Sequence, residues 1–265
     1  MITKDGYEHK ARKRFGQNFL VDQVAIRDIV HHIAPQKDDF IIEIGPGLGA
    51  ITENIYSINP SMLAVEIDRD LAAILKQKFP KLFLLEEDAL QVNYNDLIKQ
   101  RNGKNVKVVG NLPYNISTPL IFYLASFGNL IDEMYFMLQK DLVERMISPP
   151  GCKSYGKLSV MIQSRFEVSS LFDLSPSAFS PQPKIYSSFI SIKPRKESLA
   201  IDNPSTFERV VSLAFQQRRK TLRNSLKQLQ FLEGVEKCGG LLNLRPEQLS
   251  IDEFIFLSDN IIGAP

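Results

Sequence analysis

The sequence feature that most constrains the fold is a short apolar strand followed directly by a glycine-rich turn and a helix. Phe40-Ile41-Ile42-Glu43-Ile44 reads as the strand, Gly45-Pro46-Gly47-Leu48-Gly49 as the turn, and Ala50-Ile51-Thr52 opens the helical pattern. This order is typical of the first βα unit of a nucleotide-binding fold, in which glycines let a ligand lie against the backbone. Many tight turns carry similar glycines, so the motif needs support from elsewhere in the chain.

A second apolar segment, residues 62–67, places an acid where such a fold needs one. Glu66 falls at the end of this segment, about twenty residues after the glycine turn, where a carboxylate binds both hydroxyls of a ribose. The alternative is a surface carboxylate at a strand end, and the spacing favours the ribose. Asp68 competes for the same role, although its position favours capping the next helix.

Further apolar segments alternate with helical patterns along the chain. Residues 82–89, 107–110, 133–138 and 187–192 read as strands, and a helix capped by Asp22 is ended by Pro35. Alternation of this kind predicts an α/β fold with a mainly parallel sheet covered on both faces. The polar stretch 193–198 reads as a linker and the rest as helical, so we expect a domain at 1–194 and a small helical domain at 195–265.

The strand at 107–110 runs into an unusual turn, Asn111-Leu112-Pro113-Tyr114. The Asn111 side chain offers an acceptor and a donor, and Tyr114 adds a flat aromatic face. This combination at a strand end suits a planar ligand with an amino group, such as adenine. Taken alone, the four residues equally allow an ordinary strand-to-helix turn.

Composition excludes several classes of protein. Of 265 residues, 44% are hydrophobic and 23% charged, the balance of a soluble globular chain with a sizeable core. The two cysteines, Cys152 and Cys238, have neither metal-ligand spacing nor a disulfide pattern, which favours a reducing cytoplasm. No apolar run approaches membrane-spanning length, and the N-terminus has no secretory pattern.

The net charge is only +2, but the basic residues cluster. One cluster contains Arg12, Lys13 and Arg14, with Lys10 beside them. The other contains Arg218, Arg219, Lys220 and Arg223. Two basic clusters on a near-neutral chain favour contacts with nucleic acid, and solvated helix faces are the alternative.

Four ordered motifs carry a resemblance to a known family. They are Arg14-Phe15-Gly16-Gln17-Asn18-Phe19-Leu20, Glu43-Ile44-Gly45-Pro46-Gly47-Leu48-Gly49, Asn111-Leu112-Pro113-Tyr114, and Gln217-Arg218-Arg219-Lys220-Thr221-Leu222-Arg223-Asn224. Together they resemble the ribosomal RNA adenine N6,N6-dimethyltransferases over nearly the whole chain. The likeness is best to the bacterial small-subunit branch, whose loss confers kasugamycin resistance.

The resemblance implies a Rossmann-like sheet that binds S-adenosyl-L-methionine and releases S-adenosyl-L-homocysteine, with no metal. The cofactor positions that it implies are Gln17, Asn18, Leu20, Gly45, Gly47, Glu66, Ile67, Asp88, Ala89 and Asn111. It further implies a small-subunit rRNA substrate within a pre-assembled subunit, docked by the C-terminal helices. We expect a cytoplasmic monomer. Ser225 and Tyr186 depart from the family pattern, but neither belongs to the expected chemistry.

The catalytic residues expected are Asn111, Leu112, Pro113, Tyr114 and Phe179. Adenine N6 is a poor nucleophile because its lone pair is delocalised into the ring. The Asn111 side-chain oxygen and the Leu112 carbonyl would accept its hydrogens and free the lone pair, without a dedicated general base. Tyr114 and Phe179 would hold the turned-out base, and a core role is the alternative for Phe179.

Three other functions share part of this pattern. An NAD-dependent oxidoreductase would explain the glycine turn and Glu66, but not the Asn-Leu-Pro-Tyr turn. A large-subunit rRNA methylase conferring macrolide resistance shares the core motifs. A mainly non-catalytic RNA-binding factor for ribosome assembly is the third alternative, and it would explain the basic clusters.

Overall fold

A computed structural model describes residues 11–12, 15–99, 103–197, 199–232 and 240–262. Its strands are β1 (Phe19–Leu20), β2 (Phe40–Ile44), β3 (Leu63–Val65), β4 (Phe83–Leu85), β5 (Val106–Asn111), β6 (Glu133–Gln139), β7 (Phe166–Leu174), β8 (Phe179–Ser180) and β9 (Ser187–Pro194). Its α-helices are α1 (Gln23–Ile33), α2 (Thr52–Ile58), α3 (Arg69–Lys78), α4 (Tyr94–Ile98), α5 (Ser117–Ala125), α6 (Lys140–Ile147), α7 (Lys157–Gln163), α8 (Pro204–Gln216), α9 (Leu222–Ser225) and α10 (Ile251–Asp259).

The main sheet of the described residues has seven strands in the order β4-β3-β2-β5-β6-β9-β7. The pairs β2–β3, β3–β4, β2–β5 and β5–β6 are parallel, and β9 runs antiparallel to β6. The predicted α/β fold with a mainly parallel sheet is therefore confirmed. The chain moves outward from β2 to β4 and then returns to β5, so a crevice opens at the carboxyl ends of β2 and β5.

The register of the central strands brings their carboxyl ends level. Ile44 pairs with Val65 on one side and with Gly110 on the other. A Cβ at Gly110 would lie 2.5 Å from the Ile44 carbonyl oxygen. The close approach for which Gly110 is needed is therefore to the neighbouring strand.

Helix α1 follows the predicted pattern. The Asp22 side chain caps it by accepting hydrogen bonds from the Val24 and Ala25 backbone nitrogens at 2.8 and 3.2 Å. Ile26, Ile29 and Ile33 are buried on its inner face. Apolar periodicity and an acceptor before the first turn are local signals, which is why the sequence predicts this helix well.

A buried lysine on β5 ties the end of α1 to the sheet. Lys107 Nζ donates to the carbonyls of Ile33 and Ala34 at 3.0 and 3.1 Å and lies 2.9 Å from the Asp39 carboxylate. The Lys107 and Asp39 side chains are 7% and 6% exposed. A cation at the C-terminal carbonyls of a helix is favourable, and here it also neutralises a buried acid.

The chain divides into two compact units. The first contains residues up to Val143 together with Ser169–Pro194, and the second contains Glu144–Val168 and the residues from Arg195 on. One break between the units follows Pro194, while the expected domains at 1–194 and 195–265 remain a prediction. Glu144–Val168 groups with the C-terminal helices because α7 packs on α8. Strand β9 extends to Pro194, so the predicted linker begins two residues too early.

Within the described residues, no helix is both long and apolar enough to cross a membrane.

We expect Lys107→Met to lower the free energy of unfolding by about 3–5 kcal/mol, because it leaves the buried Asp39 carboxylate without its cation. Chemical denaturation measured at neutral pH checks this value. Lys193→Met is the matched control on the same sheet, since Lys193 pairs with Glu133 at 2.7 Å and is 46% exposed. The control should cost about 0–1 kcal/mol. Equal losses in the two variants would contradict the structural role of Lys107.

Candidate active site

A cavity of about 290 Å³ lies at the carboxyl ends of β2, β3 and β5, within the first unit. The structure brings every predicted cofactor and catalytic residue to its wall. These residues are Gln17, Asn18, Leu20, Gly45, Gly47, Glu66, Ile67, Asp88, Ala89, Asn111, Leu112, Pro113, Tyr114 and Phe179. Residues far apart in sequence therefore share one crevice, as the sheet topology requires.

The glycine turn forms the floor next to β2. Gly45 and Gly47 have φ of +66° and +59°, a left-handed conformation that glycine adopts without strain. A Cβ at Gly47 would lie 3.1 Å from the Phe19 ring. The turn therefore needs glycine both for its backbone path and for close packing against β1.

Glu66 stands immediately after β3 and is held by main-chain donors. Its two carboxylate oxygens accept from the Asp68 nitrogen at 2.9 Å and the Gly47 nitrogen at 3.3 Å. Burial raises the Glu66 pKa to about 7, against the lowering effect of these hydrogen bonds. The carboxylate is therefore positioned on the cavity wall in an environment that disfavours its charge.

Glu43 is a second buried acid on the wall, and sequence reasoning assigned it no role. Its side chain lies near Thr52, and among the described residues neither Glu43 Oε2 nor Thr52 Oγ1 has a hydrogen-bond partner. Burial raises the Glu43 pKa to about 7 against the lowering effect of the nearby Thr52 hydroxyl, and repulsion by Glu66 adds to the increase. A single acid within an otherwise apolar strand was the signal that could have identified it.

The residues that follow β3 and β4 place a hydrogen-bond acceptor, Asp88, and an apolar side chain, Ile67, on the cavity wall. Asp88 accepts from the Leu90 nitrogen at 3.0 Å through one oxygen, which leaves the other oxygen as an acceptor. Ile67 is 45% exposed, a large value for an isoleucine on a concave surface. A flat heterocycle with an exocyclic amine matches this pair of features.

At the tip of β5, hydrogen bonds fix the direction of the Asn111 side chain. Its nitrogen donates to the Asn18 carbonyl at 2.8 Å, so its oxygen remains the acceptor. The Pro113 carbonyl is used by the Ile116 and Ser117 nitrogens, both at 3.1 Å. No described residue donates to the Leu112 carbonyl. The turn therefore presents two acceptors, Asn111 Oδ1 and the Leu112 carbonyl.

Two aromatic residues line the cavity near this turn. The Tyr114 hydroxyl lies 3.2 Å from Ser187 Oγ, which restrains the ring. Phe179 is 2% exposed and pairs with Leu20 in the short β1–β8 ladder. Phe179 is therefore both a cavity-lining residue and a part of the hydrophobic core.

The first basic cluster is only partly described, since Lys10, Lys13 and Arg14 lie outside the described residues. Arg12 does not line the cavity. Its guanidinium binds the carboxylates of Asp68, at 2.8 Å, and Asp70. An RNA phosphate that approached Arg12, as the sequence predicts, would therefore meet two acids already bound to that side chain.

The second basic cluster lies in the second unit. Arg218 is partly buried, donates to the Lys153 carbonyl and lies 3.9 Å from the Glu247 carboxylate. Arg219, Lys220 and Arg223 are exposed. The four residues differ in environment, and the exposed ones are those that present charge to solvent.

The raised pKa values of the two buried acids, Glu43 and Glu66, make the stability of the chain depend on pH. The folded pKa of Glu43, about 7, is above the ordinary 4.5, so its contribution to stability is lost as pH rises between these values. As pH rises from about 5 to about 8, the free energy of unfolding of Glu43→Gln should therefore increase by about 2–3 kcal/mol relative to that of wild type. Urea unfolding of the ligand-free chain across this range measures the difference. Glu53→Gln, an exposed change on α2, is the control and should follow the wild-type curve.

The family model for ribosomal RNA adenine dimethylase matches residues 8–257. A ribosomal RNA small subunit methyltransferase A from Hahella chejuensis is 46% identical over 261 residues, covering 97% of this chain and 95% of that protein. A dimethyladenosine transferase structure from Plasmodium falciparum has a TM-score of 0.77 and 21% identity, covering 92% of this chain and 99% of that one.

The structure of the 23S rRNA methyltransferase ErmE is also similar, with a TM-score of 0.68, 22% identity and coverage of 92% of this chain and 100% of that one. At such identities the two structural likenesses show the fold alone. The family match spans nearly the whole chain, and so does the relative at 46% identity. The chain therefore belongs to the ribosomal RNA adenine dimethylase family.

Proposed function

We propose that this chain transfers methyl groups from S-adenosyl-L-methionine to N6 of two adjacent adenines in the 3′-terminal hairpin loop of small-subunit rRNA, giving N6,N6-dimethyladenosines. The observation that carries the proposal is the pair of acceptors at the tip of β5, Asn111 Oδ1 and the Leu112 carbonyl, in the same cavity as the glycine turn and Glu66. The substrate would be rRNA within a pre-assembled small subunit. The enzyme would act as a cytoplasmic monomer in subunit biogenesis.

The residues on the cavity wall fit the cofactor. Glu66 offers carboxylate oxygens to ribose hydroxyls, and Asp88 beside the exposed Ile67 suits the adenine ring and its amine. The left-handed backbone of Gly45 and Gly47 turns the chain away from β2, so the main chain itself lines the cavity there. Glu43 Oε2, buried without a hydrogen-bond partner among the described residues, supplies an acceptor that suits a cationic group.

When bound, S-adenosyl-L-methionine supplies a methyl group made electrophilic by its sulfonium, and S-adenosyl-L-homocysteine is the product. Asn111 Oδ1 and the Leu112 carbonyl would accept the two N6 hydrogens of the target adenine and favour a pyramidal nitrogen with a localised lone pair. Both acceptors belong to a turn fixed by hydrogen bonds, so little reorganisation is needed as charge develops. The proton released from N6 passes to solvent.

The target adenine must leave its stack to reach the cavity. Tyr114, restrained by Ser187, and the buried Phe179 would hold its two faces. Stacking on an aromatic side chain contributes about 1–3 kcal/mol per base in proteins that bind single strands. Two rigid aromatic walls would therefore offset the cost of unstacking.

We expect Asn111→Ala to lower kcat by about 10²–10³-fold, the usual effect of removing one group that stabilises a transition state. The measurement is transfer of tritium from the labelled cofactor to immature small subunits, with large subunits as the competing substrate. Asn105→Ala, just before the opposite end of β5, is the matched control and should keep wild-type turnover.

Turnover of Asn111→Ala near the wild-type rate would refute the role of this side chain. Labelling of large subunits in preference to small ones would refute the proposed substrate. A binding measurement with S-adenosyl-L-homocysteine separates lost chemistry from lost cofactor, because Asn111 also anchors the Asn18 carbonyl.

The exposed part of the second basic cluster should bind phosphate. We expect the double variant Arg219→Gln, Lys220→Gln to weaken RNA binding and to lower the slope of log affinity against log salt by about 0.7–0.9 for each phosphate that is no longer neutralised. Filter binding over a salt series measures this slope. Lys99→Gln, an exposed lysine at the end of α4, should leave the slope unchanged, and an unchanged slope in the double variant would remove these two residues from the proposal.

A further inference from the structure

We propose that Arg12 is a positioning residue for the cofactor, fastening the segment of residues 15–20 over the cavity through Asp68 and Asp70. The inference rests on the proposed use of S-adenosyl-L-methionine in this cavity. It differs from the expectation, drawn from charge clustering alone, that Arg12 contacts RNA.

The segment of residues 15–20 forms a complete side of the cavity, since all six of its residues line it. Its middle is held by the Asn111 side chain, which donates to the Asn18 carbonyl at 2.8 Å. Its end is held by the two-residue β1–β8 ladder. The beginning of the segment is tied directly to Arg12, since the Phe15 backbone nitrogen donates to the Arg12 carbonyl at 3.0 Å.

Arg12 and Gln17 supply that fixation at the beginning of the segment. Arg12 Nη1 lies 2.8 Å from Asp68 Oδ1, and its other terminal nitrogen binds Asp70. Gln17 Nε2 donates to the second Asp68 oxygen at 2.9 Å, and Gln17 Oε1 accepts from the Arg12 backbone nitrogen at 2.7 Å. Both oxygens of one carboxylate are therefore bound by Arg12 and the covering segment.

Asp68 links this segment directly to the ribose-binding acid. It is fully buried, caps α3 by accepting from the Asp70 nitrogen at 3.1 Å, and donates its own nitrogen to Glu66 at 2.9 Å. The side chain of Asp68 does not line the cavity. Its hydrogen bonds connect the covering segment to the wall that carries Glu66, so removal of the Arg12 guanidinium would loosen both.

The same ion pairs argue against phosphate as the partner of Arg12. Its side chain is 33% exposed and lies against two carboxylates, whose summed charge exceeds its own. A phosphate would be repelled by both acids and would have to displace existing charge-assisted hydrogen bonds.

Arg12→Gln in the full chain tests the proposal. We expect the Kd for S-adenosyl-L-homocysteine, measured by isothermal titration calorimetry, to rise by about five- to tenfold, the effect of removing a charge-assisted hydrogen bond reduced by partial exposure. RNA affinity and its salt slope should stay at wild-type values. Amide hydrogen exchange in residues 15–20 should become faster. Arg12→Lys should restore part of the affinity, since an ammonium still reaches one carboxylate.

The matched control is Arg219→Gln, for which we expect weaker RNA binding and an unchanged Kd for S-adenosyl-L-homocysteine. Asp70→Asn removes an exposed partner of Arg12, so it should raise the same Kd without threatening the fold. The double variant with Arg12→Gln should then fall short of the product of the two single effects.

Weaker RNA binding by Arg12→Gln with an unchanged Kd for S-adenosyl-L-homocysteine would overturn the proposal. An unchanged RNA affinity together with an unchanged Kd would overturn it too. If Arg12→Gln fails to fold, Asp70→Asn alone decides in the same way. A wild-type chain that binds S-adenosyl-L-homocysteine but methylates no small subunit would refute the proposed substrate and leave the inference on Arg12 standing.

Discussion

The parallel pairing of β2 with β3 and β5 is the constraint on which the rest of this structure depends. Ile44 pairs with Val65 and Gly110, so all three strands end at one level. The glycine turn, Glu66 and Asn111 each follow one of these ends or lie at it, and the shared register places them around one cavity. The 2.5 Å approach that a Cβ at Gly110 would make to the Ile44 carbonyl shows how little freedom the register leaves.

The cavity is electrostatically prepared for a ligand at the expense of stability without one. Glu43 and Glu66 are both buried, and burial raises both pKa values to about 7. A buried oxygen without a partner, such as Glu43 Oε2, lowers stability until a ligand satisfies it. Buried acids with raised pKa values on one cavity wall are a usual physical mark of a binding site, which supports the proposed binding of S-adenosyl-L-methionine there.

The basic residues show why a charge cluster in a sequence does not define a binding surface. Arg12 is bound by two acids, Arg218 is tied to the Lys153 carbonyl, and Arg219 is exposed. Sequence proximity is the same in each cluster, but the partners come from residues that are distant along the chain. Our two proposals therefore assign cofactor positioning to Arg12 and RNA contact to Arg219.

Local patterns in the sequence determined the elements and their order. The apolar run 40–44, the Asp22 and Asp68 caps and the glycine turn act through neighbours a few residues away, so they are readable without a fold. Only the tertiary structure decided which acceptor of the Asn-Leu-Pro-Tyr turn is available, that Glu43 lines the cavity, and that Arg12 binds Asp68. The first and last of these outcomes depend on hydrogen bonds between residues 93 and 56 positions apart, which meet only in the folded chain and leave no local pattern in the sequence.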